Sequence, residues 1–162
     1  MTPANHRGVM TMAELSQTDY QNLLAFRTSL RRFQHWSQDQ ARQAGLTPAQ
    51  HQLLVAVKGH PGSSGPTISD LASYLMLRHH STVELIDRAE DAELVSRTRD
   101  AHDGRLTRIS LTPKGEGRLH KLTPAHVDEL RQLAPILDRL VAQWPPPDTS
   151  APGQPLPERQ PP

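Results

Sequence analysis

The chain has 162 residues and no cysteine. Disulfides, thiolate metal sites and cysteine redox switches are therefore excluded. No apolar run approaches the roughly 18 residues that a membrane span needs. Met1 to Ser16 also lacks the apolar core of a signal peptide, so the chain is expected to be soluble and cytoplasmic, with no membrane partner. A strong charge of either sign is missing too. The net charge is only +1, and bulk charge does not announce nucleic acid. Nucleophile elbow, phosphate loop and paired-carboxylate motif are all lacking, and Asp and Glu fall mostly in i,i+4 surface patterns. No catalytic residue is assigned, and the chain is not expected to be an enzyme.

Histidine is what the chain has in number, nine in all. His35, His51, His60, His120 and His126 fall on different expected elements, and no His-x-x-x-His pair occurs on any of them. His79 and His80 are adjacent, so on a helix they diverge by about 100° and do not share one ion. Surface or core positions explain these histidines better than coordination does, and neither metal ligands nor a cofactor are assigned.

Length suits one domain with extensions, or one subunit of an intertwined oligomer. Residues 1–17 are polar, with Pro3 and Gly8, and are expected to be disordered. From about Asp19 to Ala44 the residues Tyr20, Leu23, Phe26, Leu30 and Phe33 recur at three- and four-residue steps, which predicts a long amphipathic helix ended by Gly45. Thr47-Pro48 starts a second helix, striped by Leu53, Leu54 and Val57 and stopping before Pro61-Gly62. Residues 62–66 read as a loop. Thr67, with Asp70 three residues on, caps a short third helix over Ile68, Leu71, Ala72 and Leu75. A turn at Met76-Leu77 leads to a fourth helix, roughly His79 to Ala92, with Thr82, Leu85, Ile86 and Ala89 inward.

Leu94 to Leu111 reads as a hairpin. Charged residues crowd a turn-prone Asp103-Gly104 tip, and Thr107, Ile109 and Leu111 alternate outward from it at the period of a half-buried strand. Thr112-Pro113 then starts a helix, Thr as N-cap and Pro at its first position. Lys114 to Leu122 is helical, Thr123-Pro124 reads as a cap and restart, and Pro135 is expected to kink or divide the apolar stripe of Val127, Leu130, Leu133, Leu137 and Leu140 that runs toward Trp144. Residues 145–162 hold eight of the fifteen prolines and one large apolar residue, Leu156, and are expected to be a disordered tail.

Helix, turn, helix, strand, polar tip, strand, helix is the order that a winged helix-turn-helix needs. Between Arg78 and Arg108, six arginines stand against seven acidic residues; only the wing from Leu94 to Arg108 is locally positive. A nucleic-acid reading therefore rests on architecture and on where the arginines sit. His79, His80 and Ser81 stand at the start of the fourth helix, where imidazole and hydroxyl groups reach base edges or phosphate. The Val83 methyls suit a thymine methyl, and Glu84 and Arg88 lie on the same outward side. The bland alternative is that these residues line a solvated turn; the surrounding architecture favours the groove reading. Arg105 at the tip suits a narrow minor groove, with Asp103 expected to brace its guanidinium. Arg97, Arg99 and Arg108 suit phosphates, although any of them could be an ordinary strand-edge charge.

These segments resemble the MarR family of bacterial transcription regulators. The likeness is carried by Leu94-Val95, Asp103-Gly104-Arg105, Ile109-Ser110-Leu111 and Leu111 to Gly115, and upstream by Gly45 to Gln50, Leu71-Ala72, Leu75, Leu77 and Leu85 to Arg88. Three positions depart from the family pattern. Gly104 stands where another Arg is usual, which removes one groove or phosphate contact. Glu93 stands where Gly is usual, at a point that often needs positive φ, and Ala89 replaces a usual Leu.

The resemblance implies a mainly α fold: a winged helix-turn-helix over 18–144, with a two-stranded wing at 94–111 and dimerisation helices at about 18–44 and 113–144. It implies a homodimer that binds a pseudo-palindromic operator in double-stranded DNA as a ligand-responsive repressor. Relatives usually bind small, often aromatic, anionic effectors in a crevice between the dimerisation helices and the winged domain; His35, Trp36 and His51 are the residues expected to line it here. The alternative is a winged-helix protein-interaction module with lost or weak DNA binding, consistent with the near-neutral helix–wing segment and Gly104.

Overall fold

A computed structural model describes residues 16–143. Five helices and one hairpin follow in the order α1 (Gln17–Gln43), α2 (Pro48–Gly59), α3 (Ile68–Leu75), α4 (His79–Asp91), β1 (Val95–Arg99), β2 (Thr107–Leu111) and α5 (Pro113–Gln143). The expected proline-rich tail, Trp144 and the segment before Ser16 lie outside the described residues.

Three helix starts share one device. Ser16 and Asp19, Thr47 and Gln50, and Thr67 and Asp70 each exchange two hydrogen bonds, side chain to N3 amide and N3 side chain back to the cap amide. Each such cap contributes about 1 kcal/mol and fixes where the chain enters the helix. The cap on α1 brings Ser16 and Gln17, assigned from sequence to the N-terminal disordered segment, into ordered structure.

The core is one cluster built around α2. Leu53 and Leu54 meet Leu71 of α3, Leu85 and Ile86 of α4, Val95 and Ile109 of the hairpin, and Leu119 and Leu122 of α5. All four inward positions expected on α4, Thr82, Leu85, Ile86 and Ala89, are buried. The turn between α3 and α4 passes through Met76 at φ 52°, and the turn into β1 passes through Glu93 at φ 59°. Both are left-handed conformations that a side chain with a Cβ adopts at a cost of about 1–2 kcal/mol. Glu93 is held by Lys114 Nζ on its carboxylate at 2.9 Å and by Thr112 Oγ1, which donates to its carbonyl.

β1 and β2 pair antiparallel, from Val95 opposite Leu111 to Arg99 opposite Thr107. Ile109 is fully buried, with Thr107 and Leu111 half-buried beside it, as the alternation required. The stretch before α3, expected to be a plain loop, ends against this hairpin. The Ile109 amide donates to the Pro66 carbonyl at 2.9 Å, and Thr67 bridges Arg108. Gly65 makes that approach feasible, because a Cβ there would lie 2.5 Å from the Ile109 carbonyl oxygen and its φ is +74°.

α5 corrects the expectation of a break at Thr123-Pro124 and of a division at Pro135. It is one helix of 31 residues that contains both prolines. Each proline is exposed, so water can take the carbonyl that lost its amide donor. Thr123, instead of capping a new helix, donates its hydroxyl to the Leu119 carbonyl at 2.9 Å. Its true cap is Thr112, whose Oγ1 accepts from the Gly115 amide at 3.1 Å.

Gly115 sits where the start of α5 crosses the end of the α4–β1 turn. A Cβ there would come within 2.0 Å of the Leu94 carbonyl oxygen, whereas nothing lies within 4 Å of one at Gly117. Gly115→Ala is expected to destabilise by about 2–3 kcal/mol, since backbone must move. Gly117→Ala, in an exposed helix interior, is expected to stabilise by about 0.5–1 kcal/mol. Denaturant unfolding of the two variants checks the contrast; equal midpoints would remove the packing argument.

Candidate nucleic-acid interface and the adjoining crevice

α4 differs from its neighbours at its start. Its cap, Arg78, makes no side-chain bond to the first-turn amides, whereas α1, α2, α3 and α5 all have one. The unsatisfied amides and the positive end of the helix dipole therefore open outward, in the manner of an anion-accepting terminus. Around them stand His79, His80 and Glu84, all exposed, with Ser81 and Val83 half-buried and Arg88 exposed one turn further on. All six residues expected on the outward side of this helix are off the core.

The wing tip is organised by Asp100, a residue that the sequence reading passed over. Its Oδ1 accepts from the His102 and Asp103 amides at 2.8 and 2.9 Å, and its Oδ2 accepts from Arg108 Nε at 2.6 Å. The two backbone amides, together with that guanidinium, hold the carboxyl down at about 2. Arg108 also donates Nη1 to the Gly65 carbonyl at 3.0 Å, so it ties the tip to the strap beside β2.

Asp103 plays a different part from the one expected. Its Oδ1 accepts from the backbone amide of Arg105 at 3.0 Å and makes no bond to the guanidinium. Asx geometry explains this: a short carboxylate bonds most easily to the amide two residues on, and so shapes the turn. Arg105 itself is exposed, with no ion pair among the described residues.

Arg97 is likewise engaged. It reaches from β1 across to α4 and pairs with Asp87 and Glu90, and those carboxylates raise its already high pKa. The near-neutral sum of the segment thus divides into two sets. Arg97 and Arg108 neutralise acids inside the module and fix the wing, as Lys114 does for Glu93. Among the described residues, Arg78, Arg88, Arg99 and Arg105 are exposed without a carboxylate partner.

On the other side of α2, a crevice of ≈ 980 Å³ opens between α1, α2, α5 and the α3–α4 turn. Of the three residues expected there, only His51 lines it. His35 is a correction: its side chain is 80% exposed and pairs with Asp39 one helical turn away. Trp36 lies behind the wall, its ring 4.9 Å from that of His126. His126, which sequence could not pair with anything, is the centre of the wall. Its ring is 4.6 Å from His51 and edge-on to Phe33.

The bonding of His126 fixes its tautomer. Nδ1 lies 2.9 Å from the Leu122 carbonyl, which can only accept, so Nδ1 carries the proton. In the neutral ring Nε2 then accepts from the Ser37 hydroxyl at 2.8 Å. Burial, with the His126 ring beside it, pushes His51 down to about 4. Among the described residues no group of three or more His, Cys, Asp or Glu is placed to hold a metal ion, and no helix is long and apolar enough to cross a membrane.

Residues 44–106, from the end of α1 to the wing tip, match the model of the MarR family. The chain is 36% identical over 67 residues to an uncharacterized HTH-type transcriptional regulator, YsmB, of Bacillus subtilis, an alignment covering 41% of this chain and 46% of the relative. It is 31% identical over 72 residues to the HTH-type transcriptional repressor MdtR of the same bacterium, covering 44% of each. The chain thus spans a little under half the length of these relatives. The crystal structure of AbsC, a MarR family transcriptional regulator from Streptomyces coelicolor, superposes with a TM-score of 0.64 at 25% identity, covering 80% of this chain and 90% of that one.

The buried imidazole of His51 has a consequence for stability. Its folded pKa lies below its ordinary value of 6.5, so between the two the unfolded chain binds the extra proton. Stability is therefore full above about pH 6.5 and is lost as pH falls toward about 4. The loss is expected to be on the order of 2 kcal/mol, and to be absent from His51→Gln. Parallel unfolding curves at stepped pH test this; identical pH slopes for parent and variant would refute it.

Proposed function

We propose, for a chain whose residues 44–106 are a MarR-family winged helix, that it regulates transcription in the cytoplasm as a ligand-responsive repressor, binding a pseudo-palindromic DNA operator as a homodimer. The observation that carries this is the sorting of charge. Within the helix–wing segment from Arg78 to Arg108, the arginines with no carboxylate partner among the described residues, Arg78, Arg88, Arg99 and Arg105, lie on the recognition helix, its cap and the wing, while Arg97 and Arg108 hold the wing in place. Binding is then a matter of α4 entering a major groove and Arg105 an adjacent minor groove. His79, His80, Ser81 and Val83 meet base edges or the nearby backbone at the open start of α4, with Glu84 and Arg88 flanking them. Arg99 contacts phosphate. Asp103 sets the backbone of the tip from which Arg105 projects.

Dimerisation is supported by what α1 and α5 leave uncovered. Tyr20, Leu23, Leu24 and Leu30 on α1, and Val127, Leu130 and Leu137 on α5, are exposed in the single chain. Apolar surface of that extent along two packed helices calls for a second copy. The pair then presents two α4 helices about one turn of DNA, roughly 34 Å, apart. An effector in the crevice, which touches both α5 and the α3–α4 turn, alters that spacing. The protein-interaction module is the reading that would replace this one if DNA binding failed.

Arg105→Ala is expected to weaken operator binding by about 1–3 kcal/mol, more than Arg88→Ala. Asp103→Ala is expected to give a smaller defect and to add little in the Arg105→Ala background, since the tip matters through Arg105. A double-mutant cycle on fragments recovered by genome-wide footprinting, with assembly checked, tests the pair. Parent-like binding by Arg105→Ala would remove the wing from the interface. Affinity should fall on the order of a thousandfold between about 50 and 200 mM salt, and salt-insensitive or absent DNA binding would favour the interaction module. Ending the chain after Leu122 is expected to give aggregated or unfolded protein; a soluble, well-folded monomer would overturn the dimer.

A further inference from the structure

The crevice has a marked charge pattern: the described residues that line it carry no free charge. Its single lysine, Lys58, is bound to Glu116 on α5. Its other polar groups include the uncharged Gln34, Gln38, Gln52, Ser37, Thr123 and Tyr74, and the His51 imidazole. An ion entering it would lose water without meeting a counter-charge, which is the costly way to bury one.

One polar group in the wall is left over. His126 has both ring nitrogens occupied, by the Leu122 carbonyl and the Ser37 hydroxyl. His51 is 7% exposed, lines the crevice and has no hydrogen-bond partner among the described residues. No fully buried polar side-chain atom there lacks a partner, so the His51 nitrogens keep some exposure, and the residue lines the crevice. A nearly buried imidazole with an unused donor and acceptor is an anchor for a ligand's polar group. The surfaces around it are flat or apolar, led by Phe33, Tyr74 and Val55.

We propose that the crevice takes an uncharged, planar aromatic molecule whose amide-like or hydroxyl group hydrogen-bonds to His51, and that it discriminates against carboxylate and amidinium counterparts of the same shape. This rests on the reading of the crevice as an effector site. His51 suits the role because burial keeps its ring neutral near physiological pH, able to donate from one nitrogen and accept at the other. The same ligand reaches Tyr74 and Met76, so it contacts the turn from which α4 departs.

Three isosteres separate charge from shape: 2-naphthamide, 2-naphthoate and 2-naphthamidine, titrated calorimetrically into the full chain near neutral pH. The amide is expected to bind at least about tenfold more tightly than either ion. His51→Phe, which keeps an aromatic face, is expected to lose about that factor for the amide, and His51→Gln to recover part of it. Equal or tighter binding of the naphthoate or naphthamidine would overturn the proposal. So would undetectable binding of all three up to their solubility limits, or an amide affinity unchanged in His51→Phe. The parent measurements decide the charge preference even if a variant misfolds. Salt-sensitive DNA binding by the same preparation, measured alongside, separates the two readings. DNA binding without amide binding sinks the ligand class alone, and amide binding without DNA binding sinks the regulator while the pocket stands.

Discussion

A two-stranded hairpin is marginal by itself in water, so the wing's position has to come from elsewhere. Here it comes from two arginines acting as struts. Arg97 ties β1 to α4, and Arg108 ties the tip, through Asp100 and the Gly65 carbonyl, to the strap before α3. Ile109 and Val95 anchor the base of the hairpin in the core. The angle between recognition helix and wing is therefore set by charged hydrogen bonds at one end and apolar burial at the other. Everything proposed about groove contacts depends on that angle.

The arrangement also resolves the electrostatic puzzle of the chain. Counted along the sequence, acids cancel arginines from Arg78 to Arg108. In space, Asp87, Glu90 and Asp100 face the two strut arginines, and what they cancel is charge already committed to structure. A composition sum has no way to make that distinction, because it depends on pairings ten or fewer residues apart across a turn.

Local rules carried the sequence reading far. The helix start at Thr47-Pro48, the capping box at Thr67, the inward face of α4 and the strand alternation around Ile109 all follow from patterns within a few residues. The left-handed φ at Glu93 was legible because a position that often takes Gly carried a Cβ instead. What was not legible depended on distant partners. Pro124 looked like a break because nothing local shows that both proline positions face solvent on a helix packed along α1 and the core. His126 looked idle because Ser37 and His51 reach it from other helices, 89 and 75 residues away. Asp103 was assigned to a guanidinium on charge alone, where the backbone amide two residues on was the nearer donor.

The continuity of α5 has a mechanical consequence. With 31 residues it is a rod about 46 Å long at 1.5 Å per residue. Its first turns are fastened to the wing base through Gly115 and Thr112, and its later turns carry the uncovered leucines. No break in the helix separates its two ends. A tilt of only about 5° at one end sweeps the other through about 4 Å by simple geometry over that length, so a small disturbance where the crevice meets α5 is delivered as a displacement comparable to an atom's diameter at the far end.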